Sequence, residues 1–90
     1  MARKASAKLN TKYPIVAVCW HDAEVSAQWE SIDAIANDTL PECLSVGFLL
    51  SETDTHLNIC GTVSSEDCNQ RIKIPVAWVV SRTTLRKASQ

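Results

Sequence analysis

The spacing of apolar positions changes twice along the chain. Pro14 to Trp20, "PIVAVCW", is an unbroken apolar run rich in β-branched residues. It predicts a buried strand with the proline at its first position. Between His21 and Asp38 the period lengthens: Val25, Trp29, Ile32 and Ala36 recur at helical spacing, with Ile35 beside them. That stripe predicts one helix laid across a sheet, with Trp29 in the core. Asp22 and Ser26 are candidate caps, Ser31 faces water, and Pro41 stops the helix. From Cys43 onward the period drops to two. Leu44, Val46, Phe48 and Leu50 share one face and Ser45 and Gly47 the other; Leu57, Ile59 and Val63 resume the alternation after the polar tip "SETDT". The two arms read as a hairpin. A polar loop, 64–70, leads to Ile72 and Ile74. Past Pro75 a final strand is expected, with Trp78 and Val80 on one face.

The predicted order is β, α, then four β. Both glycines, Gly47 and Gly61, fall inside strands, where a glycine marks a bulge or sharp bend. The expected fold is mainly β: a small, strongly bent antiparallel barrel of SH3-like or Sm-like type, about five strands with one packed helix. An open antiparallel sheet with one helix is the alternative. The domain is placed at 13–85, after a flexible basic arm, 1–12, and before a basic tail, 86–90.

A chain of 90 residues forms one domain with a modest core, which oligomerisation would supplement. No run approaches the length of a membrane span. The basic start "MARKASAKLNTK" has no apolar stretch behind it, so a secretory signal is not expected. The expected location is the cytoplasm, with Cys19, Cys43, Cys60 and Cys68 as free thiols. No C-x-x-C pair is present, and neither a metal nor a cofactor is expected.

Net charge is −1, but its layout is uneven. Arg3, Lys4, Lys8 and Lys12 precede a segment, 13–70, that holds all ten acids and no Lys or Arg; Arg71, Lys73, Arg82, Arg86 and Lys87 follow it. Two readings stand: solvated tails around an acidic body, or complementarity between segments of one chain or of two.

Catalytic chemistry finds little support. Cys19 and His21 lie two apart on a strand and share a face, and Asp22 adjoins them, but a strand-end histidine beside an N-cap aspartate explains the same residues. No phosphate-binding or nucleophile-elbow motif occurs. The chain is read as non-enzymatic. Trp20 and Trp78 fit either core packing or a surface on which bases stack.

The hairpin segment "DTHLN", Asp54 to Asn58, with Leu50 four positions before the aspartate, resembles a motif of the Sm and Sm-like family. "IKI", Ile72 to Ile74, resembles loosely its second motif, with Lys73 at the basic position. This resemblance implies a base-holding loop at Asp54, His56 and Asn58. Because 13–70 carries no positive charge, phosphate contacts would come from Arg71, Lys73 or the two tails. The resemblance also implies assembly through edge strands. The chain is similar, too, to small proteins of tailed phages and prophages, through Trp20–Asp22–Ala23, a downstream Trp, Ser45–Gly47 and Ile74–Pro75. The plain alternative for the hairpin is a polar turn in which Asp54 satisfies its own backbone.

The resulting expectation is a phage-type, self-associating binding protein of the bacterial cytoplasm that takes RNA or a nucleotide-like signal molecule. The alternative is an adaptor or inhibitor of a host protein. Trp78, Val79, Val80, Arg82 and Arg86 are the expected interface of a homo-oligomeric ring, against a monomer or two-fold dimer.

Overall fold

The computed structural model describes residues 12–88. Most of the expected basic arm, 1–11, and the end of the expected tail, 89–90, lie outside the described residues. The elements are β1 (Ile15–His21), a short helix α1 (Ile32–Ala36), β2 (Glu42–Glu52), β3 (His56–Cys60), β4 (Thr62–Val63), β5 (Cys68–Asn69), β6 (Ile72–Pro75), a 3-10 turn (Val76–Trp78) and β7 (Val79–Arg86). The main sheet is antiparallel, in the order β6-β3-β2-β1-β7. β4 and β5 pair separately as a small ribbon within the expected polar loop, and Val63 belongs to that ribbon rather than to the main sheet.

The two edge strands are consecutive in the chain, and this forces the sheet to curl. In a flat sheet, four strand spacings of ~4.8 Å would hold β6 and β7 ~19 Å apart. Four residue steps join Pro75 to Val79, and even fully extended they reach only ~14 Å. The 3-10 turn shortens the reach further, since it rises only ~2 Å per residue. Hydrogen bonding nevertheless does not join β6 to β7. The sheet is open, so the expected closed barrel gives way to its alternative. At the open side Arg82 Nη1 of β7 reaches Glu52 Oε1 of β2 at 2.9 Å, and the turn is tied down by Val76 N–H donating to Thr55 O at 2.8 Å. Both charged side chains are 42% exposed, so this ion pair contributes about 0.2–1 kcal/mol.

The core lies on the concave face: Val16, Val18 and Trp20 from β1, Leu57 and Ile59 from β3, Ile74 from β6. Cys43, Leu49, Ile72 and Val79 pack at its margin. β1 and β3 are separated by β2, yet their side chains meet. They can do so because β2 turns only small groups inward over the shared stretch. Trp20, Val18 and Val16 stand opposite Cys43, Ser45 and Gly47, and directly paired residues share a face.

This reverses the expected facing of β2. Gly47 is buried, while Leu44 and Val46 are 70% and 55% exposed on the convex side. Two constraints override the stronger apolar pattern. A Cβ at Gly47 would collide with the Cys60 carbonyl oxygen and lie 2.7 Å from Ile59 Cγ2. The buried Trp20 also needs an acceptor for its indole N–H, and Ser45 Oγ supplies it at 3.0 Å from inside the fold.

The expected helix is the second correction. Only Ile32–Ala36 is helical, and no residue from Ala23 to Leu40 is buried. Val25, Trp29 and Ile32 therefore pack against no core, and Trp29 is fully exposed. The serines divide the segment. Ser26 Oγ accepts from Gln28 N–H at 3.3 Å, and Ser31, in an extended conformation, accepts from Ala34 N–H at 3.3 Å as the true N-cap. Such side chains offer the backbone an alternative to helix.

Gly47→Ala should destabilise the fold by about 1–3 kcal/mol, as overpacking against backbone does, and Trp20→Ala by about 3–5 kcal/mol. Urea denaturation midpoints check both. A Gly47→Ala midpoint equal to wild type would show that β3 does not sit this close.

Candidate functional site

The hairpin singled out by sequence is closed by Thr53, not by Asp54. Thr53 Oγ1 accepts from the N–H groups of Thr55 and His56, each at 3.2 Å, and Thr53 N–H donates to His56 O at 2.9 Å. Asp54 is left exposed at the tip. His56 Nδ1 lies 2.8 Å from Thr55 Oγ1 and 3.3 Å from Thr53 Oγ1, which fixes the ring against the turn.

Leu57 and Ile59 point inward, so His56 and Asn58 stand on the convex face. Asn58 is paired in register with Lys73 of β6 and with Ser51 of β2. Its Nδ2 donates to Ser51 Oγ at 2.9 Å, while its buried Oδ1 has no partner. Arg71 is exposed one residue before β6. The fold thus places His56, Asn58 and Lys73 on one convex patch with Arg71 at its border, and it leaves Asp54 at the end of the hairpin.

Cys19 and His21 share the convex face, as alternation requires, and Glu42 stands directly opposite His21. Glu42 engages both: Cys19 Sγ donates to Oε1 at 3.3 Å, and His21 Nε2 lies 3.8 Å from Oε2. The carboxylate, not an imidazole, accepts the thiol hydrogen bond, and this holds the proton on sulfur and pushes the Cys19 pKa up. Nucleophilic thiols need the opposite shift. Burial likewise pushes the Cys60 thiol up. All four cysteines are free, and among the described residues no group of three or more His, Cys, Asp or Glu side chains could hold a metal ion.

The expected interface residues divide. Trp78 stacks on Trp20, centroids 6.5 Å apart and planes 15° from parallel, and remains 40% exposed. Val79 pairs with Trp20 and packs at the core margin; Arg82 is engaged by Glu52 within its own chain. Val80 is exposed at a register shift of β7, and Arg86 pairs opposite Ile15 at the far end of the strand. Beside Trp78 opens a cleft of about 400 Å³, lined by His21, Asp22, Ala23, Leu40, Ala77, Trp78, Val79 and Val80.

The cleft sits where the 23–40 segment leaves the sheet and returns to it. The stems are held by Asp22 N–H donating to Pro41 O at 3.0 Å. Neither the cleft nor the exposure of this segment was legible in the apolar spacing. The two serines before Ile32 were the signal that the stripe is not one helix.

Glu42→Gln should lower the Cys19 pKa toward that of a free thiol. At a pH below that pKa its thiolate fraction, and so its alkylation rate, should then rise. Peptide-resolved alkylation across a pH series checks this. An unchanged Cys19 rate profile would show that the Glu42 contact does not persist in solution.

Among the described residues no helix is long and apolar enough to cross a membrane. Comparison with known proteins finds no matching family model, no matching curated protein and no matching solved structure.

Proposed function

We propose that this chain is a non-enzymatic protein-interaction module that works as a self-associated assembly. The observation that carries the reading is the 23–40 excursion. Val25, Trp29, Ile32, Ile35 and Leu40 are all exposed on it, and each would contribute about 1.5–3 kcal/mol if fully buried. Connections of this length with so little structure of their own are uncommon in compact domains and are usually functional. The curled sheet is read as an incompletely closed barrel of SH3-like or Sm-like type. The resemblance to small phage and prophage proteins favours the bacterial cytoplasm, with a host protein as a further partner. Cys19 held by a carboxylate supports the non-enzymatic reading.

Sedimentation over a dilution series tests self-association. The mass should exceed that of one chain at high concentration and fall toward it on dilution. A monomer mass throughout would overturn the proposal.

A second reading has its own observation: cross-strand register places Asn58 opposite Lys73 on the convex face, with His56 on the same face and Arg71 at its border. If RNA or a nucleotide-like molecule binds there, with Lys73 and Arg71 on phosphates, affinity should fall steeply with salt. Lys73→Glu/Arg71→Glu should then abolish binding. Fluorescence anisotropy with short labelled RNA at low salt decides; no binding by the wild type would end this reading.

A further inference from the structure

We infer that Cys60 and Cys68 form a two-thiol modification site, which a small disulfide oxidant closes into an intramolecular disulfide that pins the β4–β5 ribbon to the main sheet.

A bulge brings the two side chains to one side. Thr62 pairs with Asn69 and Val63 with Cys68. By alternation alone Cys60 would share the Thr62 face, opposite to Cys68. But Gly61 N–H also donates to Asn69 O, at 3.2 Å, so Gly61 and Thr62 stand together against Asn69. Such a bulge shifts the alternation by one place. It turns Cys60 to the face of Val63 and Cys68. The Cys60 thiol leans toward the ribbon: Sγ donates to Thr62 O at 3.5 Å, and the Cys68 side chain is a further hydrogen-bond partner of this thiol.

The burial of the two residues sets their roles. Cys60 pairs with Phe48, while its neighbour Ile59 points into the concave core, so Cys60 stands on the convex side. It is nevertheless only 1% exposed and lies outside the core cluster. Cys68 is exposed. Burial, with the neighbouring Cys68 thiol adding to it, pushes the Cys60 pKa up and holds its proton in place. Attack on a disulfide needs a thiolate that the reagent can reach. Cys68 is therefore the sulfur that an oxidant meets first, and Cys60 is the one that resolves the adduct.

The chemistry balances with one molecule of glutathione disulfide. Cys68 gives its proton to water, and its thiolate attacks one glutathione sulfur. A bond forms between Cys68 Sγ and that sulfur, the glutathione S–S bond breaks, and the first glutathione leaves as thiolate. Cys60 then gives up its proton to solvent, and its sulfur attacks Cys68 Sγ. The protein S–S bond forms, the mixed disulfide breaks, and the second glutathione leaves as thiolate. Both thiolates take up protons, so the protein is oxidised by two electrons and the glutathione disulfide is reduced to two thiols. The raised pKa of Cys60 slows the second attack, but its target sulfur is already held beside it, and such placement is worth a large effective concentration.

The test uses the whole chain, with glutathione disulfide as the oxidant. Trypsin cannot separate the cysteines, because 13–70 holds no Lys or Arg. Cleavage after glutamate puts each on its own peptide, with Cys60 in 53–66 and Cys68 in 67–90. After oxidation of the wild type, 53–66 should emerge joined to 67–90, their combined mass short by two hydrogens, until dithiothreitol parts them. In Cys60→Ser the reaction should stop at Cys68 with glutathione retained. In Cys68→Ser, a change at an exposed position, Cys60 should stay a free thiol. A wild type that keeps glutathione on Cys68 and forms no linked pair would overturn the inference. So would Cys60 linked to another cysteine, a linkage that joins two chains, or a Cys68 that does not react.

Discussion

The close approach of β3 to β2 at Gly47 is the constraint on which the rest of the structure depends. Only a hydrogen in place of a side chain lets the Cys60 carbonyl lie where it does. The row that Gly47 begins continues through Ser45 and Cys43, and its small volume brings Val16, Val18 and Trp20 of one strand into contact with Leu57 and Ile59 of a strand two places away. The row permits the curl that the short crossing from β6 to β7 requires, and the Arg82–Glu52 ion pair spans its open side. Trp20 depends on the same row twice. It needs the space beside Cys43, and it needs the Ser45 hydroxyl for its indole N–H.

A core assembled this way is small and nearly one-sided. Small groups on the inner row of β2 place its large ones outside, so Leu44 and Val46 face away from the core. The concave face is filled by residues of β1, β3 and β6, and no residue of the 23–40 segment is buried against it. That segment is ordered at its stems and by its serine caps, while its large apolar side chains stay in water. A chain of this size gains little from burial within itself. These unburied apolar groups are what the proposed self-association would cover.

The strands were legible in the sequence because their alternation is set locally. Ile72 and Ile74, Leu57 and Ile59, and Val16, Val18 and Trp20 of the first apolar run all lie inward or at the core margin. The facing of β2 was not legible. Leu44, Val46, Phe48 and Leu50 form the stronger apolar row, and what reverses them is the backbone of another strand, a long-range fact that no window of β2 contains. The helical stripe failed for a local reason that was readable: two serines, at 26 and 31, take backbone N–H groups for themselves. The candidate ligand residues were partly legible. Cross-strand register brings Asn58 to Lys73, whereas the closing role of the hairpin falls to Thr53, whose hydroxyl is better placed than the Asp54 carboxylate to meet two N–H groups. The cleft beside Trp78 was invisible because its walls come from three separate stretches of chain.

The proposed self-association would bury the apolar side chains of the 23–40 segment against a second copy rather than leave them in water. Fluorine NMR of fluorotryptophan-labelled protein observes this directly, since the resonance lost in Trp29→Ala identifies Trp29. The solvent isotope shift of that resonance should be that of an exposed ring at high dilution and should diminish as concentration rises, in step with association. The Trp20 resonance should stay buried throughout. A Trp29 resonance that keeps its full solvent shift in the associated state, or that is already protected in the monomer, would show that a second copy does not cover Trp29.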